Sequence, residues 1–586
     1  VCNITINGIE VEARDGITIL TAAREAGFTI PTLCFLEGTI PQGACRACVV
    51  EVEGAPALAA SCCTPIRNEM VIRTNTKRVR DARRTVVELL LSEHEGDCQT
   101  CVRGSDCELL LLARNLGIRE VPYNTVNPLQ QIDRSTPALA RDPGKCIKCR
   151  RCETVCAEVQ HVGAISAQYR GYNTVVGPAF ASPLATVACV QCGQCAAVCP
   201  TGAITEISHI QSVWNALDDP KKHVVVQTAP AIRAALGECF GLEPGTLVTG
   251  KMVSALRELG FDAVFDTNFT ADLTIIEEGT ELLTRLKRAL VDNEEVALPQ
   301  FTSCSPGWIK YAEYFHPEIL PNISTCKSPQ QMFGALAKTY YAQKIEAEPQ
   351  DMTVVSIMPC TAKKFECQRP EMGDSGYQDV DFVLTTRELG DMIKMAGIDF
   401  LGLPDDTMDA PFGTSTGAAD IFANTGGVME SALRTVHALV TGRNLPAEDL
   451  HIRPLAGLEG IKSAEVTFTD TVENWRFLEG VTARVAVAHG LGNASDLITH
   501  IQETGEVFHF IEVMTCPGGC IGGGGQPRFT TDEVREARIA AIYKEDEGKM
   551  YRQSHLNPAI TEIYEQFLKE PLGQRSHHLL HTEYEG

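Results

Sequence analysis

Residues 146–156 read CIKCRRCETVC, and residues 189–200 repeat the pattern as CVQCGQCAAVCP. Both are C-x2-C-x2-C-x3-C, a spacing that lets one short loop present several thiolates to a [4Fe–4S] cluster. In paired runs of this kind the fourth cysteine of each ligates the cluster of the other. One cluster is therefore expected on Cys146, Cys149, Cys152 and Cys199, and a second on Cys189, Cys192, Cys195 and Cys156. The second run closes on Pro200, as such runs do; the first lacks the proline.

The residues around these runs, 126–210, read as a two-[4Fe–4S] ferredoxin-like domain. Upstream, residues 1–78 alternate strand-like segments with Gly-rich turns, as in a small β-grasp-like fold, and carry Cys34, Cys45, Cys48 and Cys62 at intervals of 10, 2 and 13 residues. Three thiols on one loop plus a distant fourth is how a [2Fe–2S] cluster is held, although the plant-type intervals are about 4 and 2. Cys63 could replace Cys62, and zinc is the competing occupant. Between these domains, in residues 79–125, RRTVVELLLSEH (83–94) is an amphipathic helix that would deliver His94 to Cys98, Cys101 and Cys107. By spacing alone that set of one histidine and three cysteines suits zinc or iron, and its position between two cluster segments favours a third [4Fe–4S] cluster. The first 210 residues thus look like a wire of up to four clusters.

Composition agrees with this use of sulfur. The chain has 586 residues and 24 cysteines, and at about 150 residues per domain its length implies three to five folded units. The N-terminus VCNITINGIEVEARDG alternates like a strand and has no basic or apolar leader, so a cytoplasmic location is expected. Reducing surroundings argue against a disulfide framework and for metal. With 51 basic against 75 acidic side chains the net charge is −24, which excludes a nucleic-acid partner, and no apolar run is long enough to span a membrane.

From about residue 211 to 586 the pattern changes. Strand-like runs (HVVVQTAP, MTVVSIMPC, ARVAVAHG) alternate with helical ones (ELLTRLKRAL, TTRELGDMIKMAG), which predicts an α/β domain with mostly parallel strands. The whole chain is thus expected to be multidomain, of α/β and α+β parts. No G-x-G-x-x-G follows a strand, and the glycine run GGCIGGGGQP lacks the Lys-Ser or Lys-Thr of a phosphate loop. Instead, three segments join cysteine to tight-turn residues: FTSCSPGW at Cys304, MPCTAKKFE at Cys360, and EVMTCPGGCIGGGGQP at Cys516 and Cys520. Lone thiols brought together by folding suit a buried metal site, and Gly522 to Gly525 would let backbone approach a bulky cofactor.

These segments carry a resemblance over essentially the whole chain to the large, multi-cluster [FeFe]-hydrogenases. The family's signatures are usually T-S-C-C-P-x-W, M-P-C-x-x-K-x-x-E and E-x-M-x-C-x-x-x-C-x-x-G-G-G-x-P. The second is complete in Met358, Pro359, Cys360, Lys363 and Glu366, and the third in Glu512, Met514, Cys516, Cys520, the glycines and Pro527. The closing RSHHLLHTEY is also similar, and the nearest subfamily is that of catalytic subunits from NAD(P)-linked hydrogenase complexes. The resemblance implies an H-cluster, a [4Fe–4S] cube joined through one cysteine to a diiron unit carrying CO, cyanide and a bridging dithiolate amine. Cys360, Cys516 and Cys520 would hold the cube, with Cys520 as the bridge. Lys363 would donate to a cyanide, Gln330 and the backbone near Pro230 would bound the cavity, and Met358 and Met514 would pack around the diiron unit.

Heterolytic H2 cleavage also liberates a proton. The family's exit maps onto Cys304, Glu278, Ser324, Glu281 and Arg285, and Glu278, Glu281 and Arg285 independently share one helix face at i, i+3 and i+7. In the first signature Cys304 falls at the relay position and Ser305 at the cube-ligand position, 55 residues before Cys360. Either Ser305 binds as an alkoxide, or Cys304 turns to the cube, or something else completes it. Cys2, Cys63, Cys239, Cys326 and Cys367 are left as structural or incidental. The expected partners are ferredoxin or flavoprotein NAD(P)-linked subunits, with formate dehydrogenase subunits another candidate, in a hetero-oligomer. An acidic ferredoxin would need a basic patch, for which Arg67, Arg73, Lys77, Arg78, Arg80, Arg83 and Arg84 stand against Glu69 and Asp81. A non-catalytic iron–sulfur assembly protein and a sensory hydrogenase are the alternative readings.

Overall fold

The computed structural model describes residues 1–123, 131–445, 453–455, 460–528 and 530–584. They fall into two compact units: residues 1–158, 163–189 and 198–205, and residues 159–162, 190–197 and 206–586.

The first unit opens with β1 (Cys2–Ile6), β2 (Ile9–Ala13), β3 (Val49–Val52), β4 (Ala59–Ala60) and β5 (Val71–Arg73), in the order β2-β1-β5-β3-β4. β1 and β5 are parallel and the other neighbours antiparallel. Alternation buries Cys2, Ile4 and Ile6 on one face of β1. Ile19, Leu20, Ala22 and Ala23 of the helix Ile19–Glu25 join the same core. This is the β-grasp-like arrangement expected. The helix Lys77–Ser92 follows, its first turn capped by Thr76, and His94 lies just past its end. Then β6 (Leu139–Arg141), β7 (Ser166–Gln168), β8 (Val175–Gly177) and β9 (Ile204–Glu206) make two short ladders, β6 with β9 and β7 with β8.

The second unit holds β10 (His223–Thr228), β11 (Ala263–Asp266), β12 (Gln300–Phe301), β13 (Met352–Met358), β14 (Phe382–Thr385), β15 (Arg453–Pro454), β16 (Ile461–Thr467), β17 (Thr482–His489) and β18 (Phe510–Met514). One sheet, β11-β10-β13-β14, is wholly parallel. The other, β12-β18-β17-β16-β15, is parallel through β17 and antiparallel beyond. Parallel strands are covered on both faces, which is why every residue of β13 is buried. β13 and β18 end on Met358 and Met514, and the chain then turns into Cys360 and Cys516. The carboxyl ends of such strands are where α/β sheets hold ligands.

The helix Thr267–Leu290 lies between the two cores. Phe269, Leu273 and Ile276 pack into one hydrophobic cluster, and Ala271, Ile275, Leu282 and Leu283 into the other. A helix buried all round has no solvated face on which to place charge. It nevertheless carries Glu277, Glu278 and Glu281, all buried. Among the described residues, no helix is long and apolar enough to cross a membrane.

Candidate active site and cluster loops

In the first unit the expected thiols gather. Cys45 N–H donates to Cys34 Sγ (3.5 Å), Cys48 and Cys62 sulfurs lie 3.4 Å apart, and Cys63 Sγ is 3.4 Å from Cys62 Sγ. His94 Nδ1 donates to the Lys145 carbonyl at 3.1 Å, so the lone pair is left on Nε2, the atom available to a metal. Cys107 senses the charge of Cys101. Cys146, Cys149, Cys152 and Cys199 line one cavity, with the fourth thiol coming from the second run as the spacing implies. Cys156 and Cys189 belong to the first unit, Cys192 and Cys195 to the second. The duplication extends to the backbone: Lys148 and Arg150 in the first loop, and Gln191 and Gly193 at the matching places in the second, all have positive φ. Left-handed residues in such loops turn successive N–H groups inward, which suits an anionic cluster; Lys148 N–H donates to Cys146 Sγ at 3.4 Å.

In the second unit Cys360, Cys516 and Cys520 converge: Cys516 senses the charge of Cys360 and Cys520, Cys520 that of Cys360, and Lys363 acts on Cys360 and Cys520. Burial pushes their thiols up, that of Cys520 to about 12. Thiolates persist in such a pocket only against a positive partner, and iron supplies one. Lys363, in the short helix Ala362–Glu366, donates to the Cys304 carbonyl (3.1 Å) and to Glu366 Oε2 (2.9 Å), which fixes its ammonium at the thiol group. Glu366 also accepts from Ser328 (2.9 Å) and Gln330 Nε2 (3.0 Å). Gln330 Oε1 remains buried without a partner in the protein. Pro230 lies in a turn set beside β13 by the Ala229 N–H to Ile357 carbonyl bond. Three thiols, one buried and two half-buried, a fixed ammonium and an orphaned amide oxygen fit an anionic, thiolate-held cofactor.

The glycines of 522–525 meet neighbouring backbone and side chains. A side chain on Gly523 would collide with the Pro359 carbonyl, one on Gly522 with the Pro517 carbonyl, and one on Gly524 with the Cys192 carbonyl. They bring stretches of protein backbone to close approach. Loop 190–197 is thereby seated on the cube segment. Thr361 Oγ1 donates to the Gln191 carbonyl (2.8 Å), and Gln194 Nε2 donates to the Gly522 carbonyl (3.0 Å) and reaches the Cys516 thiol.

Ser305 occupies the N-cap of the helix Pro306–Phe315 but makes no capping bond. Its Oγ lies 2.7 Å from Thr515 Oγ1 and accepts from Thr515 N–H at 3.2 Å, so it faces the residue before Cys516. Cys304 instead packs in the apolar cluster that includes Met514 and Cys520. Ser303 N–H donates to Glu278. Glu278 is buried, interacts with Ser324, and has one oxygen without a partner in the protein. Burial first, and then Glu281, push its carboxyl up to about 8. Ser324 Oγ donates to Glu281 Oε2 (2.7 Å), and Arg285 Nη2 to Glu281 Oε1 (2.7 Å). Glu281 and Arg285 then line a cavity with Arg288, Glu295 and His577. The expected five side chains thus follow one another from Cys304 outward.

Several contributors escape sequence reasoning. Thr515 and Gln194 lie inside signature segments but at unmarked positions. Glu512 accepts the Gly426 and Met429 N–H groups, tying β18 to the start of the helix Gly427–Thr441. The basic run is corrected. Arg83 is buried on the Val49 carbonyl, Lys77 pairs with Asp81, Arg84 with Glu88, Arg73 with Glu53 and Arg78 with Glu51. Strand β3 and the turn after it supply acids that are distant in sequence, so the run is largely neutralised.

Known proteins share this plan. Residues 222–524 match the C-terminal domain of the iron only hydrogenase large subunit, and residues 532–586 the iron hydrogenase small subunit. Residues 1–77 match a 2Fe-2S iron-sulfur cluster binding domain, 83–122 the NADH-ubiquinone oxidoreductase-G iron-sulfur binding region, and 145–203 a 4Fe-4S dicluster domain. The NADP-reducing hydrogenase subunit HndD of Solidesulfovibrio fructosivorans is 52% identical, over 99% of this chain and 98% of that one. Iron hydrogenase 1 of Clostridium pasteurianum is 38% identical over 99% of each. The solved structure of apo [FeFe]-hydrogenase HydA1 from Chlamydomonas reinhardtii superposes with a TM-score of 0.59 at 45% identity, covering 64% of this chain and 99% of that one. The chain belongs to the [FeFe]-hydrogenase large-subunit family, with iron–sulfur domains preceding the catalytic one.

Proposed function

We propose that this hydrogenase interconverts H2 with two protons and two electrons at an H-cluster held by Cys360, Cys516, Cys520 and Ser305. One observation carries the reading: one buried and two half-buried thiols lie past the ends of β13 and β18, near Cys304, from which Glu278, Ser324, Glu281 and Arg285 lead to a cavity. The H-cluster, when bound, supplies heterolytic splitting of H2 and the first electron acceptor. Lys363, oriented by Glu366, donates to the cofactor's anionic ligands. Met358 and Met514 keep water out. Cys304 hands the proton to Glu278, Ser324 passes it to Glu281, and Arg285 holds Glu281 at the mouth. The turn of Ser305 away from its helix toward Thr515 supports its place at the cube, and leaves Cys304, beside Ser303 and Glu278, as the relay thiol. Serine is a hard donor that iron accepts once deprotonated, and Thr515 N–H is placed to stabilise that oxygen.

The N-terminal loops would hold the clusters, which we assign as one [2Fe–2S] and three [4Fe–4S], and these would carry electrons to and from the catalytic domain, with loop 190–197 lying against the cube segment. The likeness to an NADP-reducing hydrogenase subunit supports a flavoprotein NAD(P)-linked partner in a hetero-oligomer, and the neutralised basic run disfavours an acidic ferredoxin docking there. Protein purified without oxygen and matured with its cofactor will evolve and oxidise H2 with viologen dyes; absence of turnover refutes the activity. Anaerobic affinity purification will bring down a flavin-containing subunit, and a lone chain that exchanges electrons only with ferredoxin refutes the partner.

A further inference from the structure

Cys326 has no place in the relay, yet its surroundings are those of a ligand. Its side chain is fully buried, its sulfur lies 3.9 Å from His581 Nδ1, and these two atoms and a Glu281 carboxylate oxygen all lie within 4.8 Å of one another. His581 is prepared for metal. Its Nε2 is 3.1 Å from Glu277 Oε2, and Glu277 is held by the Tyr564 and Ser576 hydroxyls and the Leu572 N–H. A carboxylate so supplied accepts, so Nε2 carries the proton and Nδ1 presents its lone pair, taking a hydrogen bond from Thr325 Oγ1 at 2.8 Å. A carboxylate–histidine pair of this kind fixes ring and tautomer behind metal-ligating histidines. The charge also invites a cation, because Glu277 and Glu281 both act on Cys326. The way in is the cavity lined by Glu281, Thr325 and His577, whose ring stacks on His581 at 5.0 Å.

We propose that Glu281, Cys326 and His581 form a site for a borderline-soft divalent cation of the zinc class, and that its occupation closes the proton exit. One sulfur, one imidazole and one carboxylate is a zinc donor set with room for a water as fourth ligand, whereas magnesium and calcium take oxygen. On binding, the Cys326 S–H bond breaks, a sulfur–metal bond forms and the proton leaves to solvent, with no change of oxidation state. A Glu281 oxygen committed to the cation no longer takes the proton from Ser324. The site stands on its own geometry; the blocking effect rests on the relay described under Proposed function.

The test uses anaerobic holoenzyme freed of adventitious metal with EDTA and titrated with zinc chloride. Zinc per chain, zinc X-ray absorption and dye-linked H2 evolution are then measured. Wild type will bind one zinc with a single sulfur at about 2.3 Å and nitrogen or oxygen at about 2.0 Å, and will lose at least tenfold in turnover, restored by EDTA. Cys326→Ala, with full iron content and unchanged basal turnover, will lose both the zinc and at least tenfold of the inhibition. Cys326→Ser, closer in shape, will bind zinc only with a sulfur-free shell. Equal zinc uptake in wild type and Cys326→Ala, or a sulfur-only shell, overturns the site. Zinc bound with the expected shell but without inhibition overturns the block and Glu281's role as carrier, and leaves the site standing.

Discussion

Glu278 shows how burial changes an ordinary carboxyl. Its value rises from 4.5 to about 8, first by burial and then through Glu281. The neutral form therefore prevails at pH 7, and the proton is lost as pH rises through about 8. Because the unfolded chain would already ionise near 4.5, this group costs the fold stability progressively as pH climbs between those values. Infrared difference spectra will show a protonated carboxyl band near neutral pH that fades through about 8 and is missing in Glu278→Gln. That variant will keep its clusters by EPR and lose roughly a hundred- to ten-thousand-fold in turnover; near wild-type rates refute the path. Ser305 is the second telling residue. A hard oxygen donor stabilises the ferric state, so Ser305→Cys will raise the cube's midpoint potential in EPR-monitored titrations at unchanged iron content. Unchanged potential would show that Ser305 does not touch the cube.

Among the elements, the glycine segment after Cys520 joins the cube to the last loop of the wire. Gly523→Ala forces a side chain against the Pro359 carbonyl and will cost about 1–3 kcal/mol through overpacking, seen as a lower Tm with loss of cube iron. Gln194, in that wire loop, reaches both the Gly522 carbonyl and the Cys516 thiol. Hydrogen bonds to cluster sulfur raise reduction potentials, so Gln194→Leu will lower the cube's potential in protein carrying the cube alone. The helix Thr267–Leu290 illustrates partial legibility. Its i, i+3, i+7 pattern placed Glu278, Glu281 and Arg285 together from sequence, because helical spacing is local. Ser324, which stands between the two glutamates, lies 43 residues beyond Glu281, and family position, rather than any local pattern, supplied it.

At the scale of the molecule, 64% of the chain suffices to match HydA1 over 99% of its length, and residues 222–524 match the hydrogenase C-terminal domain. Residues 206–586 will therefore fold and, once matured, evolve H2 from chemically reduced viologen, while partner-linked turnover is lost; failure to retain an H-cluster would show that the first unit is needed for folding. Cysteine intervals alone determined the two repeated loops and the expectation that Cys199 joins Cys146, Cys149 and Cys152, and the alternation of strand and helix determined an α/β catalytic unit, because both are repeats written in neighbouring residues. Only the tertiary structure decided that the glycines admit backbone, that Arg73 and Arg78 meet Glu53 and Glu51, and that Cys326 meets His581 and Glu281. Those facts depend on which distant side chains share a volume, and no local spacing encodes that.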